Sequence, residues 1–178
     1  ESTRIAPFNL RGTDVNVMLD LMIHDIDIIQ SMVNSPIAKI DANGACVLSD
    51  KIDIANARIE FDNGCVANVT ASRVSLKSER KMRIFQHDAY FSLDLQNKVL
   101  NRYERGEGEM FPGIPAISHD ETRFEADDPI KAEIENFIDC IQTGKPPVVT
   151  GADGKRSLET AIKITEMVHE KEHRSNVV

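Results

Sequence analysis

The spacing of apolar residues changes twice along this chain, and these changes restrict the fold more than any other feature of the sequence. Between residues 14 and 33 apolar side chains recur at helical spacing, and Asn34-Ser35-Pro36 ends the pattern. The preceding Arg11-Gly12-Thr13-Asp14 predicts a turn and an N-terminal cap. We therefore expect a first helix whose core-facing residues are Val15, Leu19, Met22, Ile23, Ile26, Ile29 and Val33.

From residue 37 to about residue 100 apolar and polar residues alternate with period two, which is typical of half-buried strands. Asp62-Asn63-Gly64 separates two alternating runs and predicts a tight hairpin, because both central turn residues must accept a positive φ. A second hairpin is expected around Asp88-Ala89. The pattern predicts at least five strands, mostly antiparallel, at residues 40–48, 55–61, 65–74, 81–87 and 90–95.

Helical signals return near the end of the chain. Before them, the glycines and prolines of residues 104–118 predict a long surface loop. A helix should begin at Asp128-Pro129, since proline favours the first helical position, and should end at Gly144-Lys145-Pro146-Pro147. Another helix is expected over residues 153–171. The order helix, sheet, helix, helix predicts a single α+β domain over residues 1–178.

Charge and cysteine content argue against several classes of function. The chain has 21 Lys and Arg against 29 Asp and Glu, a formal net charge of -8, which disfavours a non-specific nucleic-acid surface or an anionic-membrane surface. No apolar run approaches the roughly 20 residues of a membrane helix. Cys46, Cys65 and Cys140 are too few and too scattered for a disulfide framework or a zinc site. We therefore expect a reducing, cytoplasmic location.

The first helix carries one polar stripe on an otherwise apolar surface. At roughly 100° per residue, Asp20, His24 and Asp27 fall within about 60° of one another, and Ser31 extends the same stripe. Asp20 and His24 are four residues apart and can touch, and a neighbouring carboxylate favours a protonated imidazole and fixes its orientation. Such a pair suits a general base that accepts a hydroxyl proton near neutral pH.

Two other interpretations of this stripe stay open. The stripe fits a solvated face on an amphipathic helix, which is the commoner role for such residues. Asp20, His24 and Asp27 are also possible metal ligands, but no second cluster of His or Cys accompanies them, and we expect no metal site. Asp25 points into the apolar arc instead. A buried carboxylate there needs an arginine or backbone amides as partner, so we predict a structural role for Asp25.

At these residues the sequence resembles the family of glucose–fructose oxidoreductase, inositol dehydrogenase and MocA. Residues 19–27 match that family's helix pattern of Asp, three residues, His, two residues, Asp. Residues 129–141 and Thr143-Gly144-Lys145-Pro146-Pro147, followed by Gly151-Ala152-Asp153-Gly154 and the last helix, resemble its C-terminal end. Together with the sheet between them, the resemblance covers nearly the whole chain and corresponds to the family's second domain.

The resemblance implies an α+β domain whose large, mostly antiparallel open sheet carries helices on one face. The other sheet face would pack against a second subunit in a homo-oligomer. His24 would be the acid/base for a substrate hydroxyl, Asp20 would orient it, and Asp27 on the same stripe is assigned to substrate binding. Small residues in two strands would permit close layering of subunits, although they would equally suit a helix above them: Ala55, Ala57, Ala67 and Ala71.

The same resemblance implies NAD or NADP as cofactor, bound by a Rossmann domain. The sequence contains no glycine-rich phosphate loop of either common kind, and it begins at Glu1 rather than Met. We therefore expect a fragment without the dinucleotide-binding domain, with no cofactor-binding residue of its own, and inactive in isolation.

The leading hypothesis is the C-terminal substrate-binding and oligomerisation domain of an NAD(P)-dependent oxidoreductase. Its substrate would be a secondary hydroxyl of a sugar, cyclitol or nucleotide sugar, and the segment around His24 looks most similar to members that act on nucleotide-linked amino sugars. Two alternatives remain. One is an enzyme of the same family that hydrolyses glycosides with a retained NAD, and the other is a non-catalytic binding or dimerisation module.

Overall fold

Eight strands form one mixed sheet in the computed structural model, which describes residues 1–9, 14–125 and 128–175. The strands are β1 (Ser2–Ile5), β2 (Ile37–Ala45), β3 (Ile54–Phe61), β4 (Val66–Ser72), β5 (Glu79–Phe85), β6 (Ala89–Asp94), β7 (Val99–Phe111) and β8 (Ile114–Arg123). Their spatial order is β2-β3-β4-β1-β5-β6-β7-β8, and only the β1–β4 pair is parallel. The predicted large, mostly antiparallel sheet is confirmed.

The hairpin predicted at Asp62-Asn63-Gly64 joins β3 to β4. Gly64 has a φ of 85°, and the side-chain oxygen of Asn63 accepts the Cys65 N–H at 3.0 Å. The register sets Ala57 opposite Val69 and Ile59 opposite Ala67, so apolar residues of both strands share one face of the sheet. The turn residues thus set the pairing that builds the centre of the core.

The helices are α1 (Ile23–Val33), preceded by a π turn over Met18–Met22, then α2 (Pro129–Thr143) and α3 (Gly151–Ser175). The first helix therefore begins later than predicted, because Asp14 lies in a turn. Of the predicted cap, residues 11–13 lie outside the described residues. Asn16 supplies the capping contact, since its side-chain oxygen accepts the N–H groups of Met18 and Leu19, both at 3.1 Å.

The helices α1 and α3 cover one face of the half of the sheet formed by β2, β3, β4 and β1, which we call the covered half. Their apolar residues, among them Met22, Ile26, Ile164 and Val168, form one core with the strands below. Gly44 of β2 permits close contact with α3, because an added Cβ would lie 2.8 Å from a methyl group of Val168. The core also contains all four small residues noted in the sequence, so a helix above them is the correct interpretation: Ala55, Ala57, Ala67 and Ala71.

The predicted surface loop at residues 104–118 is wrong, because this segment forms most of the long β7–β8 hairpin. Its glycines interrupt the strand pattern without ending the strands. Gly108 has a φ of 84° within an irregular stretch of the pairing between Arg105 and Phe111, and Gly113 has a φ of 81° in the turn. Because the side chains at this end are mostly exposed, the sequence has no apolar alternation there from which strands could be predicted.

The strand β1 was also missed, because four residues are too few to show a period. It pairs parallel with β4 and antiparallel with β5, and so connects the covered half to the half formed by β5 to β8, which we call the open half. No helix in the described residues covers the open half to a comparable extent.

The predicted helix at residues 128–144 is confirmed as α2. Asp128 caps it by accepting the N–H of Ile130 at 3.0 Å, and Gly144 ends it with a φ of 67°. None of its residues is buried. Its apolar side, which includes Ile134 and Phe137, is exposed. Within the described ranges, no helix is long and apolar enough to cross a membrane.

Candidate functional site

The π turn at the start of the first helix carries Asp20. In a π turn the hydrogen bonds span five residues, and here the N–H of Ile23 bonds to the carbonyl of Met18. Met18 and Met22 are buried in the core, and Asp20 between them is exposed. Such single π turns occur frequently at functional sites.

Asp20 lines a cleft of about 410 Å³. One wall of this cleft is the segment that follows β1, including Phe8 and Asn9, and another is the side chain of Arg73 at the end of β4. Since Asp20 lines a hollow, its carboxylate is placed where a small molecule can reach it.

His24 lies one helical turn after Asp20 and is exposed, but it is not one of the residues that line this cleft. Within the described part of the chain, no hydrogen bond joins the side chains of Asp20 and His24. The imidazole is accessible, and catalytic hydrogen bonds often shorten only when substrate binds. The exposed imidazole is compatible with the predicted acid/base role of His24, which stays a prediction.

Asp27 is half-buried and faces α3. Its Oδ1 lies 2.7 Å from Oγ of Ser157, which also lies 3.0 Å from the carbonyl of Asp153. A hydroxyl has one hydrogen to donate, so Ser157 serves one of these acceptors at a time. Asp27 thus bridges the polar stripe to α3, and its predicted role in substrate binding stays a prediction. Ser31, the last member of the stripe, is exposed.

Asp25 has the structural role predicted for it. Its two carboxylate oxygens accept hydrogen bonds from Nε and Nη2 of Arg4, at 2.8 and 3.0 Å. Asp25 is 1 % exposed and Arg4 8 % exposed. The paired geometry satisfies both charges inside the core and fixes α1 to β1 at the residue that directly follows the catalytic candidate His24.

A second buried ion pair, between Asp53 and Arg73, was not predicted. Oδ1 of Asp53 accepts Nε of Arg73 at 2.7 Å, and Oδ2 accepts the backbone N–H groups of Val47, Leu48 and Ser49. Burial opposes ionisation of Asp53, but the hydrogen bonds from Arg73 and from the backbone outweigh it and hold the pKa of Asp53 far below its usual value.

The sequence contained a signal for this pair. Asp53 continues the inward register of Ala55 and Ala57, and Arg73 continues that of Ala71. Opposite charges at inward positions of two paired strands predict a buried ion pair, because neither charge is stable there alone.

The described residues contain no group of three or more His, Cys, Asp or Glu side chains placed to hold a metal ion. Cys46, Cys65 and Cys140 are all free thiols. The chemistry that this arrangement can support is proton transfer, by the accessible imidazole of His24 with the carboxylate of Asp20 one turn away.

Comparison with known proteins gives consistent matches. A family profile described as "GFO/IDH/MocA C-terminal domain" matches residues 8–91. The UDP-N-acetylglucosamine 3-dehydrogenase of Acidithiobacillus ferrooxidans is 38% identical over 164 residues, which are 92% of this chain and 52% of that protein. A solved structure of this relative superposes with a TM-score of 0.86 over 94% of this chain and 53% of its own.

Two more distant matches are another dehydrogenase related in sequence and a solved structure with the same fold. The scyllo-inositol 2-dehydrogenase (NAD(+)) of Bacillus subtilis is 28% identical over 157 residues, which are 84% of this chain and 44% of that protein. A levoglucosan dehydrogenase solved in complex with NADH shares the fold, with a TM-score of 0.78 at 15% identity over 95% of this chain and 55% of its own. The chain spans about half the length of the curated relatives it matches.

Proposed function

The chain belongs to the GFO/IDH/MocA family, and from this premise we propose that it is the substrate-binding and oligomerisation domain of an NAD(P)-dependent dehydrogenase. The substrate is a secondary hydroxyl of a sugar, cyclitol or nucleotide sugar. A nucleotide-linked amino sugar is the substrate class that we favour, because the relative at 38% identity is a UDP-N-acetylglucosamine 3-dehydrogenase.

The observation that carries this proposal is the position of Asp20 in the wall of the cleft, one turn before the exposed His24. Both residues fall within the matched family region. His24 itself does not line the cleft, and we propose that a substrate hydroxyl bound beside Asp20 is presented to the imidazole one helical turn away. The solvated-face interpretation explains the exposure of both side chains, but it gives no reason for the cleft.

In the proposed reaction the hydroxyl proton passes to the imidazole of His24 while the C–H bond of the same carbon breaks and the ketone forms. A nicotinamide, when bound, supplies the acceptor for the hydride. Asp20, one turn away, is proposed to orient the imidazole through a hydrogen bond that forms when substrate binds. Asp27, anchored by Ser157, borders the same stripe and is proposed to contact the substrate.

Among the residues that the structure describes, the glycine-containing start of α3 does not fit the pyrophosphate of a dinucleotide. A glycine-containing helix start is the usual place for a pyrophosphate, and α3 begins with Gly151. However, Asp153 occupies the first turn of α3. The carboxylate of Asp153 accepts the N–H and the hydroxyl of Thr150, at 2.9 and 2.6 Å, and would repel a phosphate. We therefore assign cofactor binding to a dinucleotide-binding domain outside residues 1–178.

We further propose that a second copy of the chain packs on the sheet face away from the helices. Four rings stack there across the open half: Phe85 on Tyr90, Tyr90 on Tyr103 and Tyr103 on His119, with centroids 5.1, 5.4 and 4.4 Å apart. We call this row the aromatic ladder. Phe85 is 61 % exposed, and exposed aromatic rows are typical of protein interfaces. A cytoplasmic location, where thiols stay reduced, agrees with three free cysteines.

The experiment is a screen of the complete protein against sugars, cyclitols and nucleotide sugars with NAD⁺ and NADP⁺. With the best substrate, His24→Ala should lower kcat by about 10²–10⁴, the usual contribution of a general base, and should leave cofactor affinity nearly unchanged. Asp20→Asn should give a smaller loss. His169→Ala is the matched control, because His169 is also an exposed histidine near a carboxylate, Glu172, but lies on α3. Equal turnover in His24→Ala and the control would reject the role of His24.

A further inference from the structure

We infer that Arg73 and Asp53 are positioning residues, which hold the π turn so that the carboxylate of Asp20 stays in the wall of the cleft. The inference rests on the proposed function, in which Asp20 acts on His24. It concerns a buried pair that is not itself in the proton path.

Asp53 organises the loop between β2 and β3. Its Oδ2 accepts three consecutive backbone N–H groups, from Val47 at 2.8 Å, Leu48 at 2.6 Å and Ser49 at 2.9 Å, and its Oδ1 accepts the hydroxyl of Ser49 at 2.8 Å. Asp53 is 0 % exposed. A single buried carboxylate, to which Arg73 is also bonded, therefore accepts four hydrogen bonds from the loop.

Arg73 transmits this fixed position to the start of the first helix. Its Nη1 donates to the carbonyl of Val15 at 2.9 Å, while Nε and Nη2 bond to Asp53 and Ser49. The backbone adds a second link, because the N–H of Val17 donates to the carbonyl of Ile52 at 3.0 Å. Residues 15–17 are thus attached to the loop at two points immediately before the π turn.

The path from these attachments to Asp20 is short. Asn16 lies between them, its side chain caps Met18 and Leu19, and its carbonyl accepts the N–H of Asp20 at 3.1 Å. A π turn is rare and occurs mostly as a single turn beside or within an α-helix, so we infer that its surroundings hold it in place. If the start of the turn is released, it can relax toward α-helical geometry, which rotates Asp20 about the helix axis relative to His24.

The other buried ion pair, Arg4 with Asp25, fixes a different part of the first helix. Arg4 and Asp25 join β1 to α1 after the π turn has ended, and Arg4 does not line the cleft. Arg73 bonds before the π turn and lines the same cleft as Asp20. The structure therefore assigns positioning of Asp20 to Arg73 and Asp53.

The variant to test is Arg73→Lys in the complete protein. Lysine keeps the charge beside Asp53 but cannot reproduce the fork that reaches Val15 and Ser49 at once. We expect kcat to fall about 10- to 100-fold, because a displacement of about 1 Å at a catalytic group can have that effect. The KM for the cofactor should not change. Ile59→Ala is the control, since it removes fully buried apolar volume from β3 but leaves every hydrogen bond of Arg73, Asp53 and Asn16 in place.

A double-mutant cycle with Asp20→Asn separates positioning from a general loss of structure. If Arg73 acts through Asp20, Arg73→Lys should lower kcat about 10- to 100-fold in the wild-type background. In the Asp20→Asn background the same change should lower kcat by less than about two-fold. Equal factors in both backgrounds would overturn the inference while leaving the proposed function in place.

Hydrogen exchange supplies a readout that does not depend on turnover. In Arg73→Lys the amides of Asp20 and Ile23 should exchange at least about ten-fold faster, while those of the central turns of α3 keep their rates. Unchanged exchange at the π turn would also overturn the inference. If His24→Ala and Asp20→Asn leave turnover intact, the proposed function fails. In that case the exchange rates alone decide whether Arg73 holds the turn.

Discussion

The covered half and the open half of the sheet bury their side chains to very different extents. The core contains 19 buried apolar residues within the described ranges, and Met82 is the only one contributed by β5 to β8. Every residue of β6 is half-buried, and most residues of β8 are exposed. Both halves belong to one continuous hydrogen-bonded sheet, so the strand pairing alone does not produce this difference.

The cause is the position of α1 and α3, which lie mainly over the covered half. This half has a complete core, two buried ion pairs and the candidate site. The open half and α2 instead present apolar side chains to solvent, among them Phe85 at 61 % and Phe137 at 62 % exposure. Stability and catalysis should therefore be sensitive to changes in the covered half, and association should be sensitive to changes in the open half.

The largest contrast is expected between two arginines that pair with carboxylates, one in each half. Arg4→Ala should lower the free energy of unfolding by about 3–5 kcal/mol, because it leaves the Asp25 carboxylate buried without its partner. Arg102→Ala removes an ion pair with Glu104 in which the side chains of Arg102 and Glu104 are 51% and 36% exposed. This variant should lower the free energy of unfolding by only about 0–1 kcal/mol. Urea denaturation at pH 7 measures both. Similar losses in the two variants would contradict the distinction between the halves.

Truncation of apolar side chains should give the next largest difference. Ile59→Ala opens a cavity in the covered half and should cost about 2–5 kcal/mol of stability. Phe137→Ala on α2 should change the stability of this chain by less than about 0.5 kcal/mol, since its ring contacts little. Thermal and urea midpoints of both variants test this. A loss above about 2 kcal/mol in Phe137→Ala would show that α2 belongs to the cooperative core.

A charge in the aromatic ladder should alter association more than stability. Tyr103→Glu places a carboxylate between Tyr90 and His119 and should weaken self-association at least about 30-fold, the effect of a change at an interface hot spot. Thr122→Glu is the control, because Thr122 pairs with Leu100 and faces the other side of the same hairpin. Sedimentation velocity gives the dimer fraction. An unchanged fraction in Tyr103→Glu would exclude the ladder as the contact surface.

The smallest effect is expected in the response to acid, through one carboxylate from each half. The folded-state pKa of Asp53 lies below its unfolded value, which is about 3.9. The stability that Asp53 contributes is therefore complete above about pH 4 and is lost as the pH falls through its folded pKa. Asp94, which accepts hydrogen bonds from Asn97 and Gln96 in the open half, also has a lowered pKa but is more exposed.

Unfolding free energies between about pH 5 and pH 2 test this comparison. Asp53→Asn should flatten the acid dependence of stability, and Asp94→Asn should leave it nearly parallel to that of the wild type. A steeper acid dependence in Asp53→Asn than in the wild type would contradict the direction of the pKa shift.

Local signals predicted most of the covered half and only part of the open half. Asp62-Asn63-Gly64 indicated the β3–β4 hairpin, because turn chemistry is encoded in adjacent residues. The N-terminal cap of α2 at Asp128 and the end of this helix at Gly144 were also predictable from adjacent residues. The β7–β8 hairpin was not, since its exposed faces do not require apolar alternation and its glycines serve a bulge and a turn inside it.

In the candidate site, too, the features set by neighbouring residues were predictable and those set by distant residues were not. The stripe of Asp20, His24 and Asp27 follows from helical spacing, and the need of Asp25 for a partner follows from its position in the apolar arc. The identity of that partner does not, because Arg4 lies 21 residues away on a strand too short to predict. The π turn was also beyond prediction, because the contacts around it include a hydrogen bond from Arg73 to the carbonyl of Val15, 58 residues distant.

The parallel strand β1 has a consequence for synthesis of the chain. Residues 2–5 leave the ribosome before both of their neighbours, β4 and β5, which are about 70 to 80 positions later. Until residue 85 has emerged, the nascent polypeptide cannot complete the centre of its sheet. Pairings of such long sequence separation close slowly. The rate of translation through residues 66–85, and any chaperone that shields the first strand, should therefore influence how much of the protein reaches its native state.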